Sequence, residues 1–363
     1  MEPLVKTKDD IQDLALEAIG DKKRCSIGVS MGVGKTLIGL KHMAKNYTDY
    51  TRFLVVAPKR SIFQSWKDDA KKFNMEYLLK SITFTTYLSL PKEATNYDGV
   101  YLDECHSLLY SHEPWLTNYE GRILGLTGTP PKMARSEKGE MVARFCPVVY
   151  KYVVDSAVED KILNDYRIVL HGVDLDHRTN YQVKTKTKSW VSSEVKDYDW
   201  KTSKLENARS MKEEHISRIM RMKGLMSYPS KERYAKELFD SIEDKCILFA
   251  NTHEQADKLC KHSYHSSNPA SEVNLEKFKS GEINKLSAVL QLNEGVNIPH
   301  LKEGIIMHAY GNERKASQRI GRMLRLNPDE RATVHILYYR HTVDEQWVRR
   351  ALEDFDQDRI IWK

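Results

Sequence analysis

The segment Gly32-Val33-Gly34-Lys35-Thr36 constrains the fold of this 363-residue chain most, because it follows the apolar run 25–29 after only two residues. A strand that ends in a glycine-rich loop and leads into a helix presents backbone amides and a helix N-terminus to an anion. Lys35 adds positive charge, and the Thr36 hydroxyl is a suitable ligand for Mg²⁺. The sequence therefore predicts a phosphate-binding loop, although Val29 stands where the strict loop pattern has glycine.

Apolar runs bounded by turn residues alternate with helical patterns along the chain, which predicts an α/β fold with mostly parallel sheets and crossover helices. Strands are predicted at 24–30, 53–57, 81–84, 99–102, 122–126, 245–250, 286–291, 304–308 and 333–339. Helices are predicted at 36–45, 61–73, 271–280 and 315–326. This alternation divides the chain into an α/β domain at 1–168, a basic and partly helical linker or insert at 169–230, and a second α/β domain at 231–363.

The middle segment carries the excess of positive charge. Residues 178–233 contain 14 lysines and arginines against 7 acidic residues, whereas the whole chain has a net charge of +6. Such a segment suits a polyanionic partner. Two interpretations stay open for its aromatic residues: Trp190 or Trp200 stacks on nucleic-acid bases, or the aromatics dock linker helices on the domains. A capping box at 203–206 predicts a helix that starts there and runs to Met226.

The composition excludes several classes of protein. There is no apolar run of about 18 residues that would cross a membrane, and residues 1–12 do not resemble a signal peptide. The five cysteines are scattered without a C-x-x-C pair, which argues against a zinc site or a disulfide framework. A cytoplasmic protein, in the host cytoplasm if the source is a virus, is expected.

Asp103 and Glu104 follow a strand-like run at 100–102. Two adjacent carboxylates at a strand end can divide the chemistry of phosphate hydrolysis. Asp103 can hold Mg²⁺ through water, and Glu104 can orient and deprotonate the attacking water as a general base. The alternative is an acidic surface turn, which the upstream loop makes less favourable.

Gln318, Arg322 and Arg325 lie at spacings that place them on one face of a helix. Two arginines on one face can neutralise charge on a transferred phosphoryl group, an effect worth about 10³–10⁵ in rate. Periodicity alone would favour a solvated basic face. The loop and carboxylates upstream favour the catalytic interpretation.

Taken together, these segments resemble the motifs of superfamily 2 DNA helicases and translocases, with the DEAD/DEAH-like motif II in a DECH variant. The matching segments are 31–36 (motif I), 55–59 with 64–66 (Ia), 83–87 (Ib), 103–106 (II), 126–130 (III), 247–252 (IV), 264–266, 292–299 (V) and 318–325 (VI). Motif III reads Thr-Gly-Thr-Pro rather than Ser-Ala-Thr, which favours the duplex-DNA translocase, remodeller and viral helicase branch over the RNA branch. The chain resembles compact helicases encoded by bacteriophages.

The resemblance implies two tandem RecA-like domains, ATP with Mg²⁺ in the cleft between them, and a nucleic-acid strand across both. The implied nucleotide contacts are Met31, Gly32, Val33, Gly34, Lys35, Thr36, Gln12, Gly295 and Asn297. The implied metal ligands are Thr36 and Asp103. The implied catalytic residues are Glu104, Asp103, Lys35, Arg322, Arg325 and Gln318. The implied nucleic-acid contacts are Pro58, Lys59, Arg60, Ser61, Thr85, Thr86, Thr252, His253, His265, Asn293 and Glu294. His106, Thr127 and Thr129, with Gln318, would couple hydrolysis to grip on the strand.

The predicted activity is thus an ATP-dependent helicase or translocase, acting as a monomer on single-stranded, forked or duplex DNA in replication, recombination or repair. Two alternatives stay open: an RNA helicase, and an ATP-gated clamp on nucleic acid without strand separation. Gln12 lacks the aromatic partner that the family places near its adenine-reading glutamine, so a simple polar residue on the first helix is an equal alternative. Trp66 is expected to be a packing residue.

Overall fold

The computed structural model describes residues 5–30, 32–131, 135–163, 165–184, 189–289, 298, 300–308, 331–353 and 355–363. The chain divides into a first unit, Met1–Leu163, and a second unit, Asn164–Lys363. The division falls slightly before the domain end at 168 that the sequence pattern indicates. In this division, the segment 169–230 belongs to the second unit.

The first unit is a parallel α/β domain. Its strands are β1 (Arg24–Val29), β2 (Phe53–Ala57), β3 (Ile82–Thr86), β4 (Gly99–Asp103), β5 (Arg122–Thr127) and β6 (Val148–Tyr152), in the sheet order β3-β2-β4-β5-β1-β6. Its helices are α1 (Lys8–Ile19), α2 (Lys35–Lys45), α3 (Ser61–Lys72), α4 (Glu113–Asn118), α5 (Glu137–Phe145) and α6 (Val154–Glu159). Strands β1, β2 and β4 are almost wholly buried on both faces, as their continuous apolar runs predict.

The register of this sheet brings three strand ends that carry predicted motifs to one edge. Strand β1 pairs with β5 through Gly28 opposite Thr127, and β4 pairs with β5 through Asp103 opposite Leu126. Because parallel strands end at the same edge, the loop after β1 and the residues after β4 and β5 lie side by side. A Cβ at position 28 would lie 2.4 Å from Cγ of the Pro130 ring, so glycine is required at this position.

The second unit contains a second parallel sheet. Its strands are β7 (Tyr166–Val173), β10 (Cys246–Ala250), β11 (Ser263–Tyr264), β12 (Lys285–Val289), β13 (Glu303–Ile306), β14 (Ala332–Tyr339) and β15 (Ile360–Trp362), in the order β11-β12-β10-β13-β14-β7-β15. The helices around it are α9 (Pro229–Ser241), α10 (His253–Leu259), α11 (Ser271–Ser280) and α12 (Val343–Ala351). The predicted helix at 315–326 lies outside the described residues.

Between β7 and α9 the chain forms an insert, which consists of the antiparallel pair β8 (Tyr181–Lys184) and β9 (Ser189–Ser192) and the helices α7 (Glu194–Glu206) and α8 (Met211–Ser227). The predicted capping box at 203–206 is wrong, because α7 already begins after Ser193, whose side chain accepts a hydrogen bond from the Lys196 amide. The next helix begins after Ser210, which caps the Glu213 amide in the same way. Several Ser-x-x-Glu/Lys segments compete in this region, and spacing alone did not identify the caps.

The insert is anchored to the second sheet by both apolar and polar contacts. Tyr198, Leu225 and Tyr228 pack with Tyr339 of β14 in one apolar cluster. The buried Glu194 carboxylate accepts hydrogen bonds from the Ser230 amide and hydroxyl at the start of α9. Aromatics of the insert therefore belong to the core of the second unit, as the docking interpretation predicts for them.

Trp190 and Trp200, by contrast, are 44% and 52% exposed. Lys204 lies above the Trp200 ring, with its Nζ 5.1 Å from the ring centroid. The aromatics of the insert thus divide into a buried set and an exposed pair, and neither interpretation covers both.

Within the described residues, no helix is long and apolar enough to span a bilayer.

Candidate nucleotide and nucleic-acid site

The loop between β1 and α2 has the backbone of a phosphate cradle. Gly32 and Gly34 have φ of 90° and 91°, a region that residues with a Cβ rarely adopt. Gly34 is also the N-cap of α2, so Lys35 and Thr36 form the first turn of that helix. The free amides of this turn are a favourable environment for an anion. Met31, which is predicted to belong to this loop, lies outside the described residues.

Lys35 contacts the predicted general base directly. Its Nζ lies 2.9 Å from Glu104 Oε1, and the two side chains are 16% and 19% exposed. Glu104 has a left-handed backbone, with φ of 51°, directly after β4. A non-glycine residue in that region signals local strain of the kind that clusters at functional sites. The strained turn brings the Glu104 carboxylate to the ammonium of the phosphate loop.

A second set of contacts joins Glu104 to the residues after β5. His106 Nδ1 lies 2.8 Å from the Thr127 hydroxyl and 3.3 Å from Glu104 Oε2. Thr127 Oγ1 in turn accepts a hydrogen bond of 3.1 Å from the Thr129 amide. His106, Thr127 and Thr129 are thus brought together with Glu104 in one network. A change at Glu104 can reach the loop after β5 through two short hydrogen-bonded steps.

The electrostatics of this network keep Glu104 ionised. Burial alone would raise the pKa of the Glu104 carboxyl, but Lys35, His106 and the Gly128 amide together hold that pKa below its ordinary value. A carboxylate that must accept a proton from water has to be deprotonated at neutral pH. The geometry and the direction of the shift agree with a general base.

Asp103 is fixed by a residue that sequence reasoning treated only as packing. The indole Nε1 of Trp66 on α3 donates to Asp103 Oδ2 at 2.9 Å, and Trp66 is completely buried. The Tyr87 hydroxyl donates to the Asp103 carbonyl at 2.9 Å. The spacing of Ile62, Trp66 and Ala70 on α3 indicated a buried face, but no sequence signal indicated a polar contact.

Gln12 lies against the phosphate loop. Its Nε2 donates to the Val33 carbonyl at 2.8 Å, and the side chain is 3% exposed. Its buried Oε1 has no hydrogen-bond partner among the residues that the structure describes. A buried amide oxygen without a partner is costly unless a ligand supplies a donor, and an exocyclic amino group of a base is such a donor.

The residues present therefore fit ATP with Mg²⁺. The loop amides and Lys35 suit phosphates, Gln12 offers an acceptor for the base, and Thr36 with Asp103 offers oxygen ligands of the kind that Mg²⁺ prefers. Thr36 interacts with Asp69 of α3, which brings a further carboxylate near this position. When bound, the metal would supply charge neutralisation for the phosphates.

The predicted nucleic-acid contacts of the first unit fall into two groups. Pro58, Lys59, Arg60 and Ser61 are all exposed at the start of α3, where helix amides can bind a backbone phosphate. Thr85 is buried, and its hydroxyl donates to Glu93 Oε1 at 2.6 Å. The Thr86 hydroxyl bonds to Ser89 at 3.3 Å. The first group is open to a ligand, whereas the two threonine hydroxyls are engaged within the protein.

In the second unit, Thr252, His253 and His265 come together at the carboxyl end of β10. Thr252 caps α10 by accepting from the Gln255 amide. The rings of His253 and His265 stack with centroids 4.4 Å apart, and His265 Nε2 lies 2.8 Å from Asp257 Oδ1. The remaining predicted site residues of this unit lie outside the described residues: Asn293, Glu294, Gly295, Asn297, Gln318, Arg322 and Arg325.

Known families match both units. Residues 6–132 match the family described as "Type III restriction enzyme, res subunit", and residues 230–327 match the "Helicase conserved C-terminal domain" family. A curated relative, the DNA 3'-5' translocase XPB2 of Sulfurisphaera tokodaii, is 25% identical over 402 residues, which cover 97% of this chain and 86% of the relative.

Solved structures agree at the level of the fold. The helicase domain of Hef from Pyrococcus furiosus superposes with a TM-score of 0.52 at 14% identity, covering 94% of this chain and 96% of that one. The type ISP restriction-modification enzyme LlaBIII bound to DNA gives a TM-score of 0.57 at 15% identity, covering all of this chain but 31% of that one. The chain belongs to the superfamily 2 helicases, ATP-hydrolysing enzymes built on tandem RecA-like domains.

Proposed function

We propose that this chain is an ATP-dependent DNA translocase or helicase, with Mg²⁺ as the metal. The observation that carries the proposal is the Lys35–Glu104 contact of 2.9 Å, which sets the lysine of the proposed phosphate loop against an ionised carboxylate suited to act as a general base. The similarity over 97% of the chain to a protein named as a DNA 3'-5' translocase supports DNA as the polymer.

In this proposal each described residue of the first unit has one task. Lys35 leaves Glu104 to contact the nucleotide phosphates, since a triphosphate offers it more negative charge than one carboxylate. Glu104, released from Lys35, orients the attacking water and accepts its proton. Thr36 and Asp103 hold the metal, and Gln12 contacts the base.

Five residues from the second half of the chain complete the proposed site. Gln318, Arg322 and Arg325 are proposed to contact the transferred phosphate, and Gly295 and Asn297 are proposed to lie near the nucleotide.

His106 is proposed to report the state of the nucleotide. It lies within 3.3 Å of Glu104 and 2.8 Å of Thr127, so a shift of the Glu104 carboxylate changes the position of the loop that carries Thr129. That loop would then change the grip on DNA. The proposed DNA contacts are the exposed start of α3, Thr252, His253, His265, Asn293 and Glu294, with backbone contacts at Thr85 and Thr86.

The insert is proposed to contribute to DNA binding through its exposed pair, Trp190 and Trp200, and through neighbouring lysines. Exposed aromatic rings can stack on bases, and lysines can neutralise phosphates. We further propose a monomer, because one chain carries both RecA-like units. The five cysteines, all unpaired, support a reducing cytoplasmic location.

The test is steady-state ATP hydrolysis by wild type and Glu104→Gln, alone and with single-stranded DNA, duplex, forked DNA or RNA. The proposal expects stimulation by DNA that the variant loses. Stimulation by RNA alone would assign the chain to the RNA branch. ATP binding without hydrolysis under any condition would favour the clamp. Displacement of a third strand from a DNA triplex, or of one strand from a fork, then separates translocation from unwinding.

A further inference from the structure

Trp66 is connected to both elements that carry the proposed metal ligands. Its indole N–H donates to the Asp103 carboxylate at the end of β4. Its ring lies against α2, where a Cβ at Gly39 would come within 2.6 Å of Trp66 Cη2. The ring also makes an edge contact with Tyr101 of β4, with centroids 6.4 Å apart. Complete burial leaves the indole no water to bond with, so Asp103 is its partner by necessity.

The helix that carries Trp66 begins at the surface. Helix α3 starts at Ser61, and the exposed residues Lys59 and Arg60 precede it. Asp69, less than one turn beyond Trp66, interacts with Thr36. One rigid helix therefore starts among the proposed DNA contacts and, through Trp66 and Asp69, reaches both proposed metal ligands.

We propose that Trp66 is a positioning residue, which fixes the Asp103 carboxylate for metal binding and transmits DNA contact at the start of α3 to that carboxylate. The inference rests on the proposed function, in that it assumes a metal–nucleotide site and DNA at α3. A movement of α3 caused by a phosphate at its N-terminus would shift the indole donor relative to Asp103. This path runs through the indole donor of α3, whereas the His106–Thr127 network reaches Glu104 from the residues after β5.

The test compares Trp66→Phe with the matched variant Trp115→Phe. Phenylalanine at 66 keeps an aromatic ring against Gly39 but lacks the N–H. Trp115 is also buried in the first unit, and its Nε1 donates at 2.8 Å to the backbone carbonyl of Glu93, away from both metal ligands. Both variants lose one indole hydrogen bond, so Trp115→Phe controls for the general effect of losing such a bond in the first unit.

The first readout is binding of Mn²⁺ in the presence of a non-hydrolysable ATP analogue, followed by the electron paramagnetic resonance signal of free Mn²⁺. The loss of a hydrogen bond to a charged group typically changes an equilibrium constant by about tenfold or more. We therefore expect Trp66→Phe to bind Mn²⁺ about tenfold more weakly, whereas Trp115→Phe binds like wild type. Nucleotide binding without metal should be unchanged in both.

The second readout is hydrolysis as a function of Mg²⁺ concentration, with and without duplex DNA. The inference expects Trp66→Phe to require more Mg²⁺ and to lose most of the DNA stimulation of kcat. Equal behaviour of the two variants in both readouts would overturn it. Should Trp66→Phe fold poorly, benzothienylalanine at position 66 removes the N–H in a ring of nearly the same shape. Absence of DNA stimulation in wild type would instead contradict the proposed function.

Discussion

Each of the two units contains a lysine–carboxylate pair near the end of its sheet, and the two pairs are built differently. In the first unit, Lys35 and Glu104 are 16% and 19% exposed and belong to a glycine-rich loop and a strained turn. In the second unit, Lys231 of α9 and Asp344 of α12 are each 1% exposed. A lysine and a carboxylate thus form a partly exposed pair in one unit and a sealed contact between helices in the other.

The surroundings explain the difference. Lys231 Nζ lies 4.2 Å from the Tyr339 ring centroid and bonds to Asp344, whose carboxylate also accepts from the Tyr339 amide at 3.0 Å. Burial lowers the pKa of Lys231, and Asp344 opposes that shift. Lys35, by contrast, is paired with Glu104, a partner that we propose a nucleotide phosphate replaces. A buried charge pair therefore indicates function only where its partners are exchangeable.

The largest effect is expected at the exchangeable pair. Glu104→Gln keeps the size of the side chain and removes the proposed proton acceptor, so turnover should fall about 10²–10⁴-fold. Single-turnover hydrolysis with saturating DNA measures this directly. Near-wild-type hydrolysis in this variant would remove Glu104 from the role of base and break the contrast between the pairs.

The sealed pair should respond in stability instead. Lys231→Ala leaves Asp344 buried and uncompensated, which typically costs about 3–5 kcal/mol. Lys35→Ala should cost less than this, because Glu104 is 19% exposed and keeps its contact with His106. Urea denaturation of the two variants tests the comparison. Equal losses of unfolding free energy would show that the pairs do not differ in kind.

A smaller effect concerns acid stability of the first unit. His42, behind the phosphate loop on α2, bonds to the Tyr101 hydroxyl at 2.8 Å, and burial, with Arg122 and Lys45, lowers its pKa from 6.5 to about 4. As the pH falls, His42 therefore becomes protonated in the unfolded chain before it does so in the folded protein. The free energy of unfolding declines as the pH falls from 6.5 towards 4. At pH 5 the loss is about 2 kcal/mol.

His42→Gln should flatten this pH dependence of the unfolding free energy, whereas the exposed His215→Gln should leave it unchanged. The second unit offers the parallel case, His171, whose pKa burial and His335 likewise lower to about 4. If the unfolding free energy of wild type did not decline with falling pH in either unit, the burial of the His42 and His171 rings would not govern acid stability.

The smallest effect is expected in the insert. Lys196→Ala with Lys204→Ala removes two exposed cations near Trp200, so the slope of log Kd for DNA against log salt should fall by about 0.7–0.9 for each phosphate that these lysines neutralise. Lys23→Ala, which removes an exposed cation at the amino-terminal edge of the first sheet, is the control. A slope equal to the control would leave the insert with a packing role only.

The sequence pattern predicted strands β1 to β5 and helices α2 and α3 of the first unit closely, but it did not indicate β6, α4, α5 or α6. Strand β2 and the loop-to-helix junction at Lys35 agree with the pattern because buried parallel strands are short apolar runs and glycines mark the turn. Lys35 and Glu104 were each predicted after a strand, but their contact became evident only from the strand order, which brings the two strand ends to one sheet edge. Spacing could not reveal the polar role of Trp66, because an apolar helix face and an indole donor look alike in sequence. Prediction of the insert failed where competing serine caps left the helix starts ambiguous.

The central claim is that Lys35 exchanges Glu104 for the nucleotide. It is tested most directly by equilibrium binding of a fluorescent ATP analogue to wild type, Lys35→Ala and Glu104→Gln. We predict that Glu104→Gln binds the analogue at least as tightly as wild type, because its amide competes weakly for Lys35, and that Lys35→Ala binds it at least about tenfold more weakly. Equal affinity of all three proteins would contradict the claim.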